Sequence, residues 1–341
     1  MSASWDADWD PTEVVLTNST IPDAWKFCVI QKVIHNDGAE GWGQLGGRIA
    51  ALFTIFITSL LATLLPVLTR RSRTVNIPEW VYMTAKNFGT GVIIATGIIH
   101  LVDPAMIAFG TNSCVARAGR WANYPYCAFF MLVGAILTFM LDVYAQFFND
   151  RWYGKDSNLN SSGQVVFDKT IGDSQQSEQV FSAEMTRFLV LEFGVIVHSV
   201  FIGLSLGASK EWVTLFVVII FHQAFEGLGI GARMSVIPFP KGKRWWPYVL
   251  SMAYSVTTPV SIAFGILAHT SYKENGFSQL FIQGLCDSIS CGIMIYTGFV
   301  ELIARDFVFI DQTTKDLRTL NLQILSILAG AGLMSVVGKW A

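Results

Sequence analysis

Two histidines and one glutamate lie within neighbouring apolar stretches of the sequence. His198 belongs to the stretch LEFGVIVHSV (191–200), and His222 and Glu226 belong to FHQAFEG (221–227). The connector is short, about residues 208–211, and the two histidines lie about 11 and about 12 residues from its centre if both stretches are helical. At about 1.5 Å rise per residue, both imidazoles lie roughly 17 Å below the membrane surface, near the midplane of a ~30 Å hydrocarbon core.

These three side chains have the chemistry of a metal site. Glu226 follows His222 by four residues, which places both on one helix face, one turn apart. Two imidazole nitrogens and a carboxylate suit a divalent transition metal, and a fourth tetrahedral position is left for water or a transient ligand. Small residues that are predicted to let the two helices approach closely recur at four-residue spacing. They are Gly203, Gly207, Gly227 and Gly231.

Three further polar residues lie at membrane depth in the sequence, where an ionisable group is a functional candidate. Glu192 lies on the cytosolic side of His198, and we interpret it either as a ligand that receives the ion or as the ion-pair partner of Lys86 or Arg187. His100 and Asp103, near the outer end of their helix, are interpreted as an entry funnel or as a hydrogen-bonded pair at the helix end.

The elements that carry these residues belong to an integral membrane protein. The chain has 341 residues, of which 52% are hydrophobic and only 14% charged, with a net charge of −2. This composition excludes a disordered chain, disfavours a soluble globule and implies no nucleic-acid partner. Eight segments are long and apolar enough to cross a lipid bilayer as helices. They are 45–68, 84–104, 127–148, 187–207, 212–234, 246–268, 279–303 and 320–338.

The distribution of Lys and Arg predicts the orientation of the chain. Fourteen of the 23 basic residues fall in the loops on one side and eight on the other, with Lys86 at the mouth of the second segment. Because basic loops stay in the cytosol, both termini are predicted to be extracellular. The chain is then an acidic outer tail (1–44) followed by one transmembrane domain (45–341), with a flexible cytosolic loop at 150–186.

Three features of the outer side add detail. The tail has no basic start followed by an apolar run, so we expect no cleaved signal peptide. Asn18 begins an Asn-Ser-Thr triplet, which predicts a glycosylation site. Cys114 and Cys127 both lie on the outer side, and the sequence leaves open whether they form a disulfide.

The chain resembles the ZIP (Zrt-, Irt-like) family of divalent metal transporters, and the resemblance covers all eight segments. It is most specific at His198-Ser199-Val200 with Gly203 and Gly207, and at HQAFEG (222–227). The segment that ends HLVDP (100–104) and the triplet TTP (257–259) are similar to the second and sixth helices of the family. The long loop between the third and fourth helices and the extracellular termini also resemble the family.

The resemblance implies an all-α, eight-helix bundle that imports zinc, or iron(II) or manganese(II), across the plasma membrane without a resident cofactor. It places the transport site at His198, His222 and Glu226, with Ser199 and Gln223 beside them. Some members bind a second metal through further carboxylates, but the corresponding residues here are not ionisable, so we expect one transport metal. Those residues are Ile202, Gln223 and Thr258. The resemblance also implies a homodimer in which helices 2, 4, 5 and 7 move against the other four.

Two other classes of protein gather similar residues within a membrane. An intramembrane zinc hydrolase uses a metal-bound water as the nucleophile and needs a separate general base, for which Glu192 is the nearby candidate. A proton-coupled solute carrier is the third class. Imidazole and carboxylate ligands accept both zinc and iron(II), so the residues themselves leave the choice of metal open.

Overall fold

The architecture is a bundle of helices. The computed structural model describes residues 45–72, 77–110, 113, 115, 124–153, 173–208, 212–268, 277–309 and 316–339. Within these ranges, eight helices are long and apolar enough to cross a membrane, as the sequence predicts. The tail 1–44 with Asn18, residue Cys114 and part of the loop 150–186 lie outside the described residues.

The eight helices are numbered α1 to α8 in chain order. The first four are α1 (Leu45–Arg71), α2 (Glu79–Ala95, continued by a π-helical turn at Thr96–Leu101 and by Val102–Phe109), α3 (Tyr126–Tyr153) and α4 (Asp173–Ala208). The others are α5 (Trp212–Val236), α6 (Trp246–Ala268), α7 (Phe277–Tyr296, continued as a π-helix at Thr297–Phe309) and α8 (Leu317–Val337).

Several helices are longer than their apolar segments. The clearest difference is α4, which begins at Asp173, so that the last part of the loop expected at 150–186 is helical. The reason is an amphipathic first half: Phe181, Met185 and Phe188 recur at helical spacing and are buried in the main hydrophobic cluster. A search for continuous apolar runs misses such a stretch, because its other faces are polar.

Helix α2 departs from α-helical geometry just before Pro104. Proline has no N–H, so the carbonyl of His100 loses the partner that a regular α-helix would give it. The chain adopts π-helical turns over Thr96–Leu101 and resumes as an α-helix at Val102. π-Helical turns are frequent at functional sites, and this one contains His100.

Close packing between helices depends on glycine. A Cβ atom at any of eight glycines would overlap the facing helix. The pairs are Gly91 and Gly330 between α2 and α8, Gly227 and Gly231 between α5 and α1, Gly203 and Gly207 between α4 and α6, and Gly134 and Gly292 between α3 and α7. The sequence suggested that these glycines let α4 and α5 approach each other. In the structure, Gly203 and Gly207 of α4 instead face α6, and Gly227 and Gly231 of α5 face α1.

Burial differs among the helices and separates the centre of the bundle from its periphery. Helices α2 and α7 are the most enclosed, and α3 and α8 the least. Large apolar side chains on the outer faces are exposed, which is expected of surfaces that contact lipid tails. Examples are Phe53, Leu61, Leu132, Phe264 and Leu325.

Candidate metal site

The three predicted metal ligands converge in the interior of the bundle. His198 lies on α4, and His222 and Glu226 lie one turn apart on α5. Each of the three is at most 3% exposed to solvent. Each offers one ligand atom, and the three atoms lie within 4.8 Å of one another. Elsewhere in the described residues, no other set of three His, Cys, Asp or Glu side chains meets this criterion.

The separation of two donors already matches zinc geometry. His222 Nε2 lies 3.2 Å from Glu226 Oε1. Two ligands of one tetrahedral zinc, each about 2.0 Å from the ion, lie about 3.3 Å apart. The two side chains on α5 are therefore placed to share an ion without rearrangement.

Apart from the contact between His222 Nε2 and Glu226 Oε1, the donor atoms lack partners among the described residues. Within the described part of the chain, both ring nitrogens of His198, Nε2 of His222 and both carboxylate oxygens of Glu226 lack a hydrogen bond of normal geometry. Buried polar atoms are nearly always hydrogen-bonded, because an unpaired one costs free energy. A divalent cation among these lone pairs would satisfy them together, so the residues fit a metal ion.

A third imidazole lies against the site. The ring of His100 is nearly perpendicular to that of His222, with 5.0 Å between the centroids, and the rings of His198 and His222 are 5.4 Å apart. His100 Nε2 is also 3.2 Å from the backbone carbonyl of Met334 on α8. His100 is buried, whereas Asp103, three residues later on α2, is exposed.

Within the part of the chain that the structure describes, Glu192 is buried without an ionic partner. It is 5% exposed, and neither of its carboxylate oxygens has a hydrogen-bond partner among the described residues. Lys86 and Arg187, the two cations considered as partners of Glu192 in the sequence, form ion pairs with other residues. Lys86 Nζ lies 2.6 Å from Asp306 Oδ2, and Arg187 Nε lies 2.8 Å from Glu301 Oε2. The ion-pair interpretation of Glu192 is therefore wrong, and the interpretation as a ligand remains.

Comparison with known proteins identifies the family. Residues 45–338, which include all eight helices, match the family model described as ZIP zinc transporter. The chain belongs to the ZIP zinc transporter family. This family consists of transporters rather than enzymes, so the hydrolase alternative is excluded and the chain is an integral membrane protein that carries a divalent metal ion.

Relatives in the ZIP family match over most of their length. Zinc-regulated transporter 1 of Saccharomyces cerevisiae is 42% identical over an alignment of 374 positions, gaps included. The alignment covers 100% of this chain and 99% of that protein. Zinc transporter 3 of Arabidopsis thaliana is 34% identical, over 90% of this chain and 88% of the plant protein. Zinc-regulated transporter 1 of Schizosaccharomyces pombe is 30% identical, over 88% of this chain and 86% of its own.

The two residues that the ZIP resemblance placed beside the ligands are both buried, Ser199 at 2% and Gln223 at 1% exposure. The amide of Gln223 is engaged by α6: it accepts a hydrogen bond from the Tyr254 hydroxyl at 2.6 Å and donates one to Thr258 Oγ1. Gln223 is therefore held towards α6 and is not part of the group of metal donors.

A cluster of charged residues at the far end of the bundle was not recognised as a unit in the sequence. It lies away from the α4–α5 connector and links α2, α3, α4 and α7 through ion pairs. This charged cluster consists of Lys86, Asp142, Glu184, Arg187, Glu301, Arg305 and Asp306. The sequence signal for the charged cluster is that acidic and basic residues of different helices lie at the same depth in the membrane.

Proposed function

We propose that this protein imports Zn²⁺ into the cytosol across the plasma membrane, through one transport site formed by His198, His222 and Glu226. The observation that carries the proposal is the convergence of three buried donor atoms on two adjacent membrane helices, where none has a hydrogen bond of normal geometry among the described residues. Unpaired polar groups at this depth are costly, so they persist where they have a function.

The donor set favours zinc. Two imidazoles and one carboxylate give a nitrogen-rich, four-coordinate site with one open position, which zinc accepts readily. The relatives in the two yeasts are named zinc-regulated transporters, and the relative in Arabidopsis is named a zinc transporter. Iron(II) and manganese(II) are the competing cargoes, because both also bind imidazole and carboxylate ligands.

The path of the ion follows from the positions of the acidic and imidazole groups. Asp103, exposed on α2, attracts the hydrated cation, and His100, three residues earlier on the same helix, contacts the ring of His222 on α5. The ion exchanges water for the three donors and then leaves towards Glu192 and the charged cluster. Three protein ligands hold the ion firmly enough for entry and weakly enough for release.

The test is uptake of ⁶⁵Zn in cells that express His198→Ala or Glu226→Ala at the same surface level as the wild type. Each variant removes one of three donors, so we expect initial uptake to fall about tenfold or more, towards background. Thr138→Ala is the matched control, because this buried hydroxyl of α3 donates a hydrogen bond to Gly134 O of its own helix, at 2.8 Å. Undiminished uptake in both site variants contradicts the proposed site.

The cargo is tested by competition. Unlabelled Fe²⁺, Mn²⁺ and Cd²⁺ are added in excess during ⁶⁵Zn uptake, and the purified protein is examined in liposomes that contain a zinc-sensitive dye. We expect zinc to enter the lumen and Fe²⁺ and Mn²⁺ to compete weakly. Stronger inhibition by Fe²⁺ than by unlabelled zinc would make iron the cargo.

A further inference from the structure

The amide of Gln223 is held at both ends by helix α6. Tyr254 donates its hydroxyl hydrogen to Gln223 Oε1 at 2.6 Å, and Gln223 Nε2 donates to Thr258 Oγ1. The three side chains are 2% exposed or less. Tyr254 and Thr258 are one turn apart on α6, so both hydroxyls face the same point on α5. We call these three residues the amide clasp.

The clasp adjoins the proposed metal site. Gln223 directly follows His222, and it lies three residues before Glu226, which makes it a neighbour of Glu226 on the surface of α5. The amide oxygen of Gln223 is thus a further potential ligand beside the three donors.

Whether the Gln223 amide oxygen binds the metal decides how hard the set of ligand atoms is. An amide oxygen is a neutral, hard ligand, and ions such as Mn²⁺ prefer oxygen ligands and six-coordinate geometry, whereas zinc accepts four ligands with nitrogen among them. Because a buried amide must satisfy its hydrogen bonds, the Tyr254 hydroxyl gives the oxygen a partner other than the metal.

We propose that Tyr254 is a specificity-determining residue of the transport site: it holds the Gln223 amide oxygen towards α6 and so limits the metal to two imidazoles and one carboxylate. This inference rests on the proposed function of that site. Without the hydroxyl, the amide oxygen loses its donor, and a cation bound to His222 and Glu226 becomes the partner that satisfies it.

The first experiment uses Tyr254→Phe, which removes one oxygen atom and keeps the ring. Uptake of ⁵⁴Mn and ⁶⁵Zn is measured against metal concentration at matched surface levels. We expect the Mn-to-Zn uptake ratio to rise about threefold or more, with a lower apparent KM and a lower maximal rate for zinc, because the added ligand retains the ion. Tyr82→Phe is the control, since Tyr82 is a buried tyrosine of α2 whose ring lies under Arg70.

The second experiment separates this role from a general effect on packing. In Tyr254→Phe with Gln223→Leu, no amide oxygen remains, so the Mn-to-Zn ratio should return to the wild-type value. If Tyr254→Phe does not reach the membrane, Thr258→Val releases the other end of the same amide and should shift the ratio in the same direction.

Two outcomes overturn the inference. The first is a wild-type Mn-to-Zn uptake ratio and a wild-type KM for zinc in Tyr254→Phe, or in Thr258→Val if only that variant reaches the membrane. The second is a shifted ratio that persists when Gln223→Leu is added. Failure of the transport site itself is distinguishable, because it would appear as undiminished zinc uptake in His198→Ala and Glu226→Ala.

Discussion

Glu192 is a buried acid outside the three proposed metal donors. It lies six residues before His198 on α4, about 9 Å along the helix axis. Because an unpaired carboxylate in this position is costly, we expect it to bind the ion as it leaves the three donors. Glu192→Gln keeps the shape and removes the charge. The maximal rate of zinc uptake should fall about fivefold while the apparent KM changes less than about twofold.

The measurement is initial uptake over a range of zinc concentrations, with surface protein quantified in the same cells. Glu178→Gln is the control, since Glu178 is exposed on the same helix. A maximal rate equal to that of the wild type, or a change confined to KM, would contradict the role of Glu192 in release.

At the level of single residues, the sequence identified the proposed metal ligands better than it identified which side chains contact each other between helices. The depth of His198 and His222 and the one-turn spacing of Glu226 follow from helix geometry alone, and the structure brings the three together. The engagement of Gln223 by Tyr254 and the loss of the Lys86 alternative for Glu192 depend on which helices pack side by side. Spacing within one helix does not contain that information.

At the level of helices, small residues decide which helices are neighbours. A Cβ atom at Gly330 on α8 would overlap Phe88 O and come within 3.1 Å of Val92 N, both backbone atoms of α2, whereas a Cβ at Gly332 meets nothing within 4 Å. We expect Gly330→Val to separate α8 from α2 and to destabilise the protein by about 1–3 kcal/mol. Gly332→Val, two residues away on the lipid-facing side, is the matched control.

The melting temperature of the detergent-solubilised protein, followed by size-exclusion chromatography after heating, measures this difference. Gly330→Val should melt several degrees lower and reach the cell surface in smaller amounts, while Gly332→Val should resemble the wild type. Equal melting temperatures for the two variants would show that the α2–α8 contact tolerates a side chain.

The sequence predicted all eight helices because an apolar run long enough to cross a bilayer is a strong signal. It placed helix ends less well where the chain leaves the apolar region, as at Asp173 and Phe309. The π-helical turn at Thr96–Leu101 has a visible cause in Pro104, but its effect, which is to bring His100 against His222, requires the packed bundle.

On the scale of the whole molecule, the charged cluster connects several helices where the basic loops predict the cytosol. Its cations and anions are partly buried, which makes each more dependent on its partner than a surface charge is. The Lys86–Asp306 pair joins α2 to α7, and Arg187 joins α4 to α7 through Glu301. Helices α2 and α4, which contribute His100 and His198 to the site region, are thus joined to α7 at the end where the ion is proposed to leave.

Charge reversal tests this connection. Lys86→Glu places a second negative charge beside Asp306, so we expect zinc uptake at matched surface level to fall about tenfold, and Lys86→Glu with Asp306→Lys to restore at least about half of it by re-forming the pair. The matched control is Arg70–Glu79, an ion pair between α1 and α2 whose side chains are 32% and 78% exposed. Because exposed pairs contribute at most about 1 kcal/mol, Arg70→Glu should leave uptake nearly unchanged. Failure of the double reversal to recover uptake would mean that Lys86 and Asp306 act independently, and the cluster would then not connect α2 to α7 through their charges.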